Sequence, residues 1–230
     1  MLDELTISIT PGTGITVNCH ESPGKDNLAW KAADQFLRFV CQNRHIEIDI
    51  HKNIPSGAGL GGGSSDAACV IKALNQMLGC GLDRKTLKKI GEKVGSDVPC
   101  FMHDRWRRMQ GRGEIVDDME GPVIPIVLVI PDTPVSTPFA YKEFDRTCSF
   151  SVPKNNRLDQ PFNDLLKPAL SIAPEISNVL KTLEQSGANP ATMTGSGCGC
   201  FGVYKTKKQA DQACLQISGK YRCFSLSAGS

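Results

Sequence analysis

The chain has 230 residues, 40% of them apolar, and a formal net charge of +2. That is enough material for one large or two small cores, and so balanced a charge gives no global attraction to nucleic acid or to a membrane surface. No run approaches the about 18 apolar residues of a membrane span, and the acidic opening Met1-Leu-Asp-Glu is unlike a secretory leader.

In chain order, Leu5 to Thr10 alternates apolar and polar residues and predicts a strand. Ile15 to Cys19 is predicted to pair with it as a hairpin across Pro11-Gly-Thr-Gly14. A helix is expected from about Asn27 to Val40, with Leu28, Ala32, Ala33, Phe36, Leu37 and Val40 inward. His45-Ile-Glu-Ile-Asp-Ile50 reads as a half-buried strand, and Ala67, Ala68, Ile71, Leu74, Met77 and Leu78 recur at helical spacing after it. A further helix runs from about Arg84 to Val94, capped by Asp83 and stopped by Gly95; its lysines and arginine predict a solvated face. Pro122 to Ile130 reads as a buried strand leading into a second lobe, with the boundary near residues 120–135. Between Arg146 and Pro161 the composition suggests a surface loop. Pro174 starts a helix that Gly187 ends. Cys200 to Tyr204 (strand), Lys207 to Ile217 (helix) and Tyr221 to Leu226 (strand) complete an α+β layer, helices on one face of a mainly antiparallel sheet. No internal repeat is visible.

Between the strand ending at Ile50 and the helix entered at Ala67 lies the densest signal, Pro55-Ser56-Gly57-Ala58-Gly59-Leu60-Gly61-Gly62-Gly63-Ser64-Ser65. Five glycines in seven residues cost too much chain entropy for a passive connector. A glycine-dense loop at a helix start presents bare N–H groups and the positive end of the helix dipole to an anion, and Ser64 and Ser65 add hydroxyls. A nucleotide polyphosphate is the natural guest. Gly57-Ala-Gly59-Leu-Gly-Gly62 also fits the dinucleotide pattern G-x-G-x-x-G, with Asp83 about 20 residues on. However, Gly79 to Asp83 is only a short bridge between helices, and no lysine follows Gly63 as a Walker loop requires. The ten cysteines form no C-x-x-C pair and the four histidines are scattered. Zinc is therefore not expected, and reduced thiols in a cytoplasmic protein are; Cys198 and Cys200 are read as small buried residues.

The form P-x-G-A-G-L-G-G-G-S-S-D-A-A resembles the phosphate loop of the GHMP small-molecule kinases, in particular the branch that phosphorylates a cytidylyl sugar alcohol in non-mevalonate isoprenoid synthesis. Asp26 to Ala33, Gly95-Ser-Asp97-Val-Pro-Cys-Phe101, Pro131 to Thr137 with Ala140-Tyr141, Asn163-Asp-Leu165, Pro174-Glu-Ile176 and Met193-Thr-Gly-Ser-Gly197 carry the resemblance through nearly the whole chain. It implies an α+β, two-lobed GHMP kinase fold: a ribosomal protein S5 domain 2-like N-terminal lobe (residues 1–125), a ferredoxin-like C-terminal lobe (residues 126–230) and an active site in the cleft between them. ATP with Mg2+ is implied as phosphoryl donor, and residues Pro55 to Ser65 as its binding loop. Ser65 is a candidate Mg2+ ligand, and no metal ligand is assigned.

Asp97 corresponds to the family's catalytic aspartate, which accepts the proton of the substrate hydroxyl; the plainer reading is an N-cap for a short turn. Thr137, Tyr141, Gly195, Ser196 and Gly197 correspond to the acceptor site, with Tyr141 stacking on the cytosine ring. The plainer readings are half-buried core for Tyr141 and an ordinary tight turn for Thr194 to Gly197. No nucleic acid or membrane partner is expected, and the chain is expected to be a monomer or weak homodimer.

The family's opening P-A-K-[LIV]-N strand and D-G-Y-H segment, with a catalytic lysine and a Tyr-His pair, have no counterpart here. The chain starts where about the first 35 residues of the pattern have passed, and a truncated or misassigned start is the favoured expectation. A decayed kinase that binds nucleotide without transfer, or replacement of the lysine by Lys25, Lys52 or Arg107, are the alternatives. His103-Asp-Arg-Trp-Arg-Arg108 departs from the family's small turn before Gly111-Arg-Gly-Glu114. It is read as closing the cleft differently or as sequence drift.

Overall fold

A computed structural model describes residues 1–103, 106–111, 115–133, 135–147 and 161–229. Arg105, Arg112, Gly113, Glu114, Pro134 and the loop expected between Arg146 and Pro161, from residue 148 to 160, lie outside the described residues. Contacts divide the chain into two compact units: Met1–Ser56 with Gly61–Glu120, and Gly57–Leu60 with Gly121–Ser230.

The first unit begins with β1 (Glu4–Thr10), β2 (Gly14–Cys19), α1 (Leu28–Val40) and β3 (His45–His51). β1 and β2 do not form the expected hairpin. β3 lies between them, antiparallel to β1 and parallel to β2. Alternation reveals which face of a strand is apolar but not which strand it neighbours. β3 carries Ile46, Ile48 and Ile50, all buried, so the central position gives its isoleucines flanking strands on both sides. α1 then serves as the crossover that a parallel β2–β3 pair requires. Asn27 caps α1, its Oδ1 accepting the Ala29 N–H at 2.8 Å. Ala29, Ala32 and Ala33 of α1 are buried, as are Ala67 and Ala68 of α2 (Gly62–Met77), small residues that permit close helix approach over the sheet.

α3 (Arg84–Glu92) is capped by Asp83, which accepts the Thr86 N–H at 2.8 Å. Asp83 therefore has the role of a helix cap, not of a ribose-binding acid. A 3₁₀ turn, Val98–Met102, follows. Trp106–Arg108, expected as an irregular departure, belongs to β4 (Trp106–Gln110), paired with β5 (Ile115–Met119). Arg107 sits opposite Asp118 and Arg108 opposite Asp117, so opposite charges face each other across the hairpin.

The second unit contains β6 (Ile124–Ile130), α4 (Thr137–Thr147), α5 (Leu166–Ile172), α6 (Glu175–Gln185), β7 (Ala191–Met193), β8 (Cys200–Val203), α7 (Lys207–Ile217) and β9 (Arg222–Ala228). Its sheet has the order β7-β8-β6-β9, every pair antiparallel. With helices leading from β6 to β7 and from β8 to β9, this is the ferredoxin-like arrangement. Ile176, Val179 and Leu183 of α6 and Ala210, Ala213 and Ile217 of α7 are buried. Thr137, Ala140 and Tyr141, for which the sequence pattern assigned no helix, lie in α4. Only Ala140 of that helix is buried, so no apolar stripe announced it. Among the described residues no helix is long and apolar enough to cross a membrane.

Candidate active site

In the first unit the glycine loop becomes helix at Gly61. This residue is the N-cap of α2 with a left-handed φ of 70°, and a side chain on it would meet the Phe101 ring at 2.6 Å. The first intrahelical bond runs from the Ser65 N–H to the Gly61 carbonyl at 2.9 Å. The N–H groups of Gly62, Gly63 and Ser64 lie ahead of it, and no acidic residue occupies the first turn. Such an end favours an anion. Ser56 is exposed and its hydroxyl donates to Glu21. Ser56, Glu21, Asn27, Leu28, Lys52 and Gly63 border a recess of about 150 Å³ beside this helix end.

Beneath the loop lies a network that sequence reasoning missed. The Lys52 ammonium donates to Asp66 at 2.9 Å and to Asp3. Asp3 also accepts the backbone N–H groups of Asn53 and Ile54, at 2.7 and 2.8 Å. Burial would raise the Asp3 carboxyl, but bonds from Ile54, Lys52 and Asn53 outweigh it and hold the group below its ordinary value. Burial raises the Asp66 carboxyl above its ordinary value, with Lys52 opposing. Burial would lower Lys52, but its bonds to Asp3 and Asp66 prevail and raise it. The signal for this network was a carboxylate, Asp66, on the inner stripe of a predicted helix.

Asp97 occupies the N-cap position of the Val98–Met102 turn, yet its side chain makes no cap bond. The carboxylate is exposed and accepts from the Ser96 hydroxyl at 3.3 Å. The capping alternative is thus not what its side chain does. The turn it opens presses Phe101 against Gly61, which ties the aspartate's segment to the start of α2. The cations weighed as lysine replacements are engaged elsewhere: Lys52 as above, Lys25 over the Trp30 ring at 5.7 Å, and Arg107 with the His103 carbonyl and the Cys100 sulfur, the latter at 3.6 Å.

The second unit holds Gly57–Leu60 and the Thr194–Gly199 turn as one interlocked element. Gly59 has a left-handed φ of 74°, and a Cβ there would lie 2.1 Å from the Thr194 carbonyl oxygen. The two segments therefore touch backbone to backbone. Thr137 and Ser196 join through their hydroxyls at 2.9 Å. Tyr141 is 53% exposed, so it is not core. Gly195 is exposed and Gly197 buried. Cys198 and Cys200 are buried, and burial raises both thiols, Cys200 to about 12; they pack as small apolar residues. Among the described residues no group of three or more His, Cys, Asp or Glu could hold a metal ion.

Models of the GHMP kinases N terminal domain and of the GHMP kinases C terminal match residues 27–105 and 153–223. The chain belongs to the GHMP kinases. A 4-diphosphocytidyl-2-C-methyl-D-erythritol kinase of Geobacter metallireducens is 34% identical over 230 residues, 95% of this chain and 82% of the relative. One of Geobacter sp. strain M21 is 36% identical over 229 residues, 94% and 82% of the two chains. A crystal structure of 4-(cytidine 5'-diphospho)-2C-methyl-D-erythritol kinase superposes with a TM-score of 0.85 at 30% identity, covering 99% of this chain and 86% of that one. Homoserine kinase from Cytophaga hutchinsonii has a TM-score of 0.75 at 18% identity, covering 99% and 85%, a likeness of fold. The two-lobed GHMP kinase fold is thereby established for this chain.

Proposed function

We propose that this protein transfers the γ-phosphoryl group of ATP to the 2-hydroxyl of 4-diphosphocytidyl-2-C-methyl-D-erythritol. The observation that carries this reading is the uncapped N-terminus of α2 at Gly61–Ser65, in a chain 30% identical over 99% of its length to a structure of that kinase. Phosphoryl transfer asks mainly for positioning and for stabilisation of negative charge. Amides of the Pro55–Ser65 loop bind the phosphates. Asp97, exposed and uncapped, accepts the proton as the acceptor oxygen bonds to the γ-phosphorus and the bond to the β–γ bridging oxygen breaks, releasing ADP. Thr137, Ser196 and Gly195 hold the acceptor, Gly197, buried against the glycine loop, seats their turn, and the exposed Tyr141 ring offers a face for its cytosine. Mg2+ takes most of its ligands from phosphate oxygens and water, which suits a site with single hydroxyls and carboxylates such as Ser65 and Asp97; when bound it neutralises phosphate charge.

A second reading, nucleotide binding without transfer, is favoured by the engagement of Lys52 with Asp3 and Asp66, which keeps that ammonium from reacting oxygens. The test is incubation of the full chain with ATP, Mg2+ and the cytidylyl substrate, followed by ³¹P NMR. A new phosphomonoester signal with matching ADP is expected, and Asp97→Asn should lower kcat by about 10²–10⁴-fold at unchanged ATP affinity. ATP binding with no product would favour the second reading, and absence of ATP binding would reject both.

A further inference from the structure

Asn163 precedes α5, and its side chain is used at every hydrogen-bonding atom. Nδ2 donates to the Met193 carbonyl at 2.9 Å and to the Gly195 carbonyl at 2.7 Å, while Oδ1 accepts the Leu165 N–H at 2.9 Å. The two carbonyls bracket Thr194. That residue closes its own turn, its N–H donating to the Gly199 carbonyl at 2.8 Å.

The turn in turn reaches three successive carbonyls of the glycine loop. Cys198 N–H donates to Gly57 O at 3.4 Å, Gly199 N–H to Ala58 O at 3.1 Å, and the Thr194 hydroxyl to Gly59 O at 3.1 Å. A trans peptide is planar, with its C=O and the following N–H on opposite sides. Anchoring those carbonyls therefore aims the N–H groups of Ala58, Gly59 and Leu60 away from the turn. Glycine backbone has little intrinsic resistance to rotating such a peptide, so the aim depends on the turn staying in place.

We propose that Asn163 is a positioning residue that, by pinning the turn around Thr194, fixes the direction of the Ala58, Gly59 and Leu60 amides. That these amides then meet phosphate rests on the ATP reading above. Asn163 touches neither nucleotide nor acceptor in this scheme; it acts through two backbone segments. Without it, the loop loses the preorganisation that makes backbone donors effective toward an anion.

The experiment compares the full chain with Asn163→Ala and Thr194→Val. Hydrogen exchange without nucleotide should be faster at Cys198 and Gly199, whose N–H groups hold the loop carbonyls, in both variants, with α1 unchanged. The KM for ATP should rise about tenfold in Asn163→Ala and about threefold in Thr194→Val, the sizes of the two hydrogen bonds that Asn163 donates to the turn and of the one that Thr194 donates to the loop. A residue that merely stabilised the fold would lower the melting temperature and the active fraction while leaving the KM for ATP unchanged; that result, or unaltered exchange at Cys198 and Gly199, overturns the proposal. Should Asn163→Ala fail to fold, Asn163→Asp decides, because it keeps the Oδ1 acceptor for the Leu165 N–H and removes both Nδ2 donors. If the unmodified chain binds no ATP, the functional reading falls, while the exchange data still decide whether Asn163 sets the loop.

Discussion

Between Gly57 and Leu60 the glycine loop is held by main-chain contacts with Thr194–Gly199 and by the Thr194 hydroxyl, whereas from Gly61 to Asp66, at the start of α2, bulkier side chains hold the chain: the Phe101 ring against Gly61 and the Lys52 ammonium on Asp66. The first stretch has a wall made of carbonyls, amides and one hydroxyl, none of which titrates. The second has a wall of rotatable and titratable groups. One continuous segment, loop and then helix, thus contains a part sensitive to any added atom and a part sensitive to charge. Each sensitivity can be broken separately.

The largest effect is expected from Lys52→Met. It leaves Asp3 and Asp66, with side chains 2% and 6% exposed, without their cation, which should cost about 3–5 kcal/mol of unfolding free energy. The pH dependence has a definite sign. In the unmodified chain the depressed Asp3 carboxyl contributes stability above the usual carboxylate range, lost as pH falls through it. The raised Lys52 contributes stability lost only as pH climbs past the ordinary lysine range. With Lys52 gone, burial raises both carboxyls, so the folded form favours protons and the deficit narrows from about pH 7 to about pH 4. Urea titrations at the two pH values check this, and a constant deficit would mean that charge does not hold this half.

Gly59→Ala comes next, at about 2–5 kcal/mol from left-handed strain plus overpacking. It should appear as a loss of ATP affinity of at least about tenfold, equal at about pH 5 and about pH 8 because the wall is backbone. Isothermal titration calorimetry at both values would expose any hidden titrating partner. The smallest effect belongs to Gly61→Ala, about 1–2 kcal/mol once its contact is relieved. Phe101→Leu in the same chain should recover part of the loss, since the ring is the obstacle. A double variant no better than Gly61→Ala alone would put the obstacle in the backbone and erase the contrast with Gly59.

Much of this was legible in the residues. Helices α1, α3, α6 and α7 and strands β3, β6 and β8 announced themselves through apolar period and caps, and the glycine loop through composition. The parts that were not legible share a cause. β1 and β2 were recognisable singly, but nothing local to them says that a strand more than 20 residues further on separates them. α4 buries only Ala140, and β4 is written Trp-Arg-Arg-Met-Gln, so neither has a stripe for burial to impose. Asp97 and the Thr194–Gly197 turn were candidates from their motifs. The Asp3–Lys52–Asp66 network was signalled only by Asp66 on the inner stripe of α2, and the bonds of Asn163 not at all, because the partners are set by distances between residues far apart in the chain.

The chain's path through its units has a consequence for anyone who divides it. Four residues, Gly57–Leu60, count with the second unit although the sequence on either side of them counts with the first, and the Thr194 hydroxyl meets Gly59 across 135 positions. Scission after Glu120 would therefore not yield two self-sufficient pieces. The carboxy-terminal piece would have left its own tetrapeptide behind in the other tube, and on the ribosome that tetrapeptide must wait, unpartnered, for most of translation.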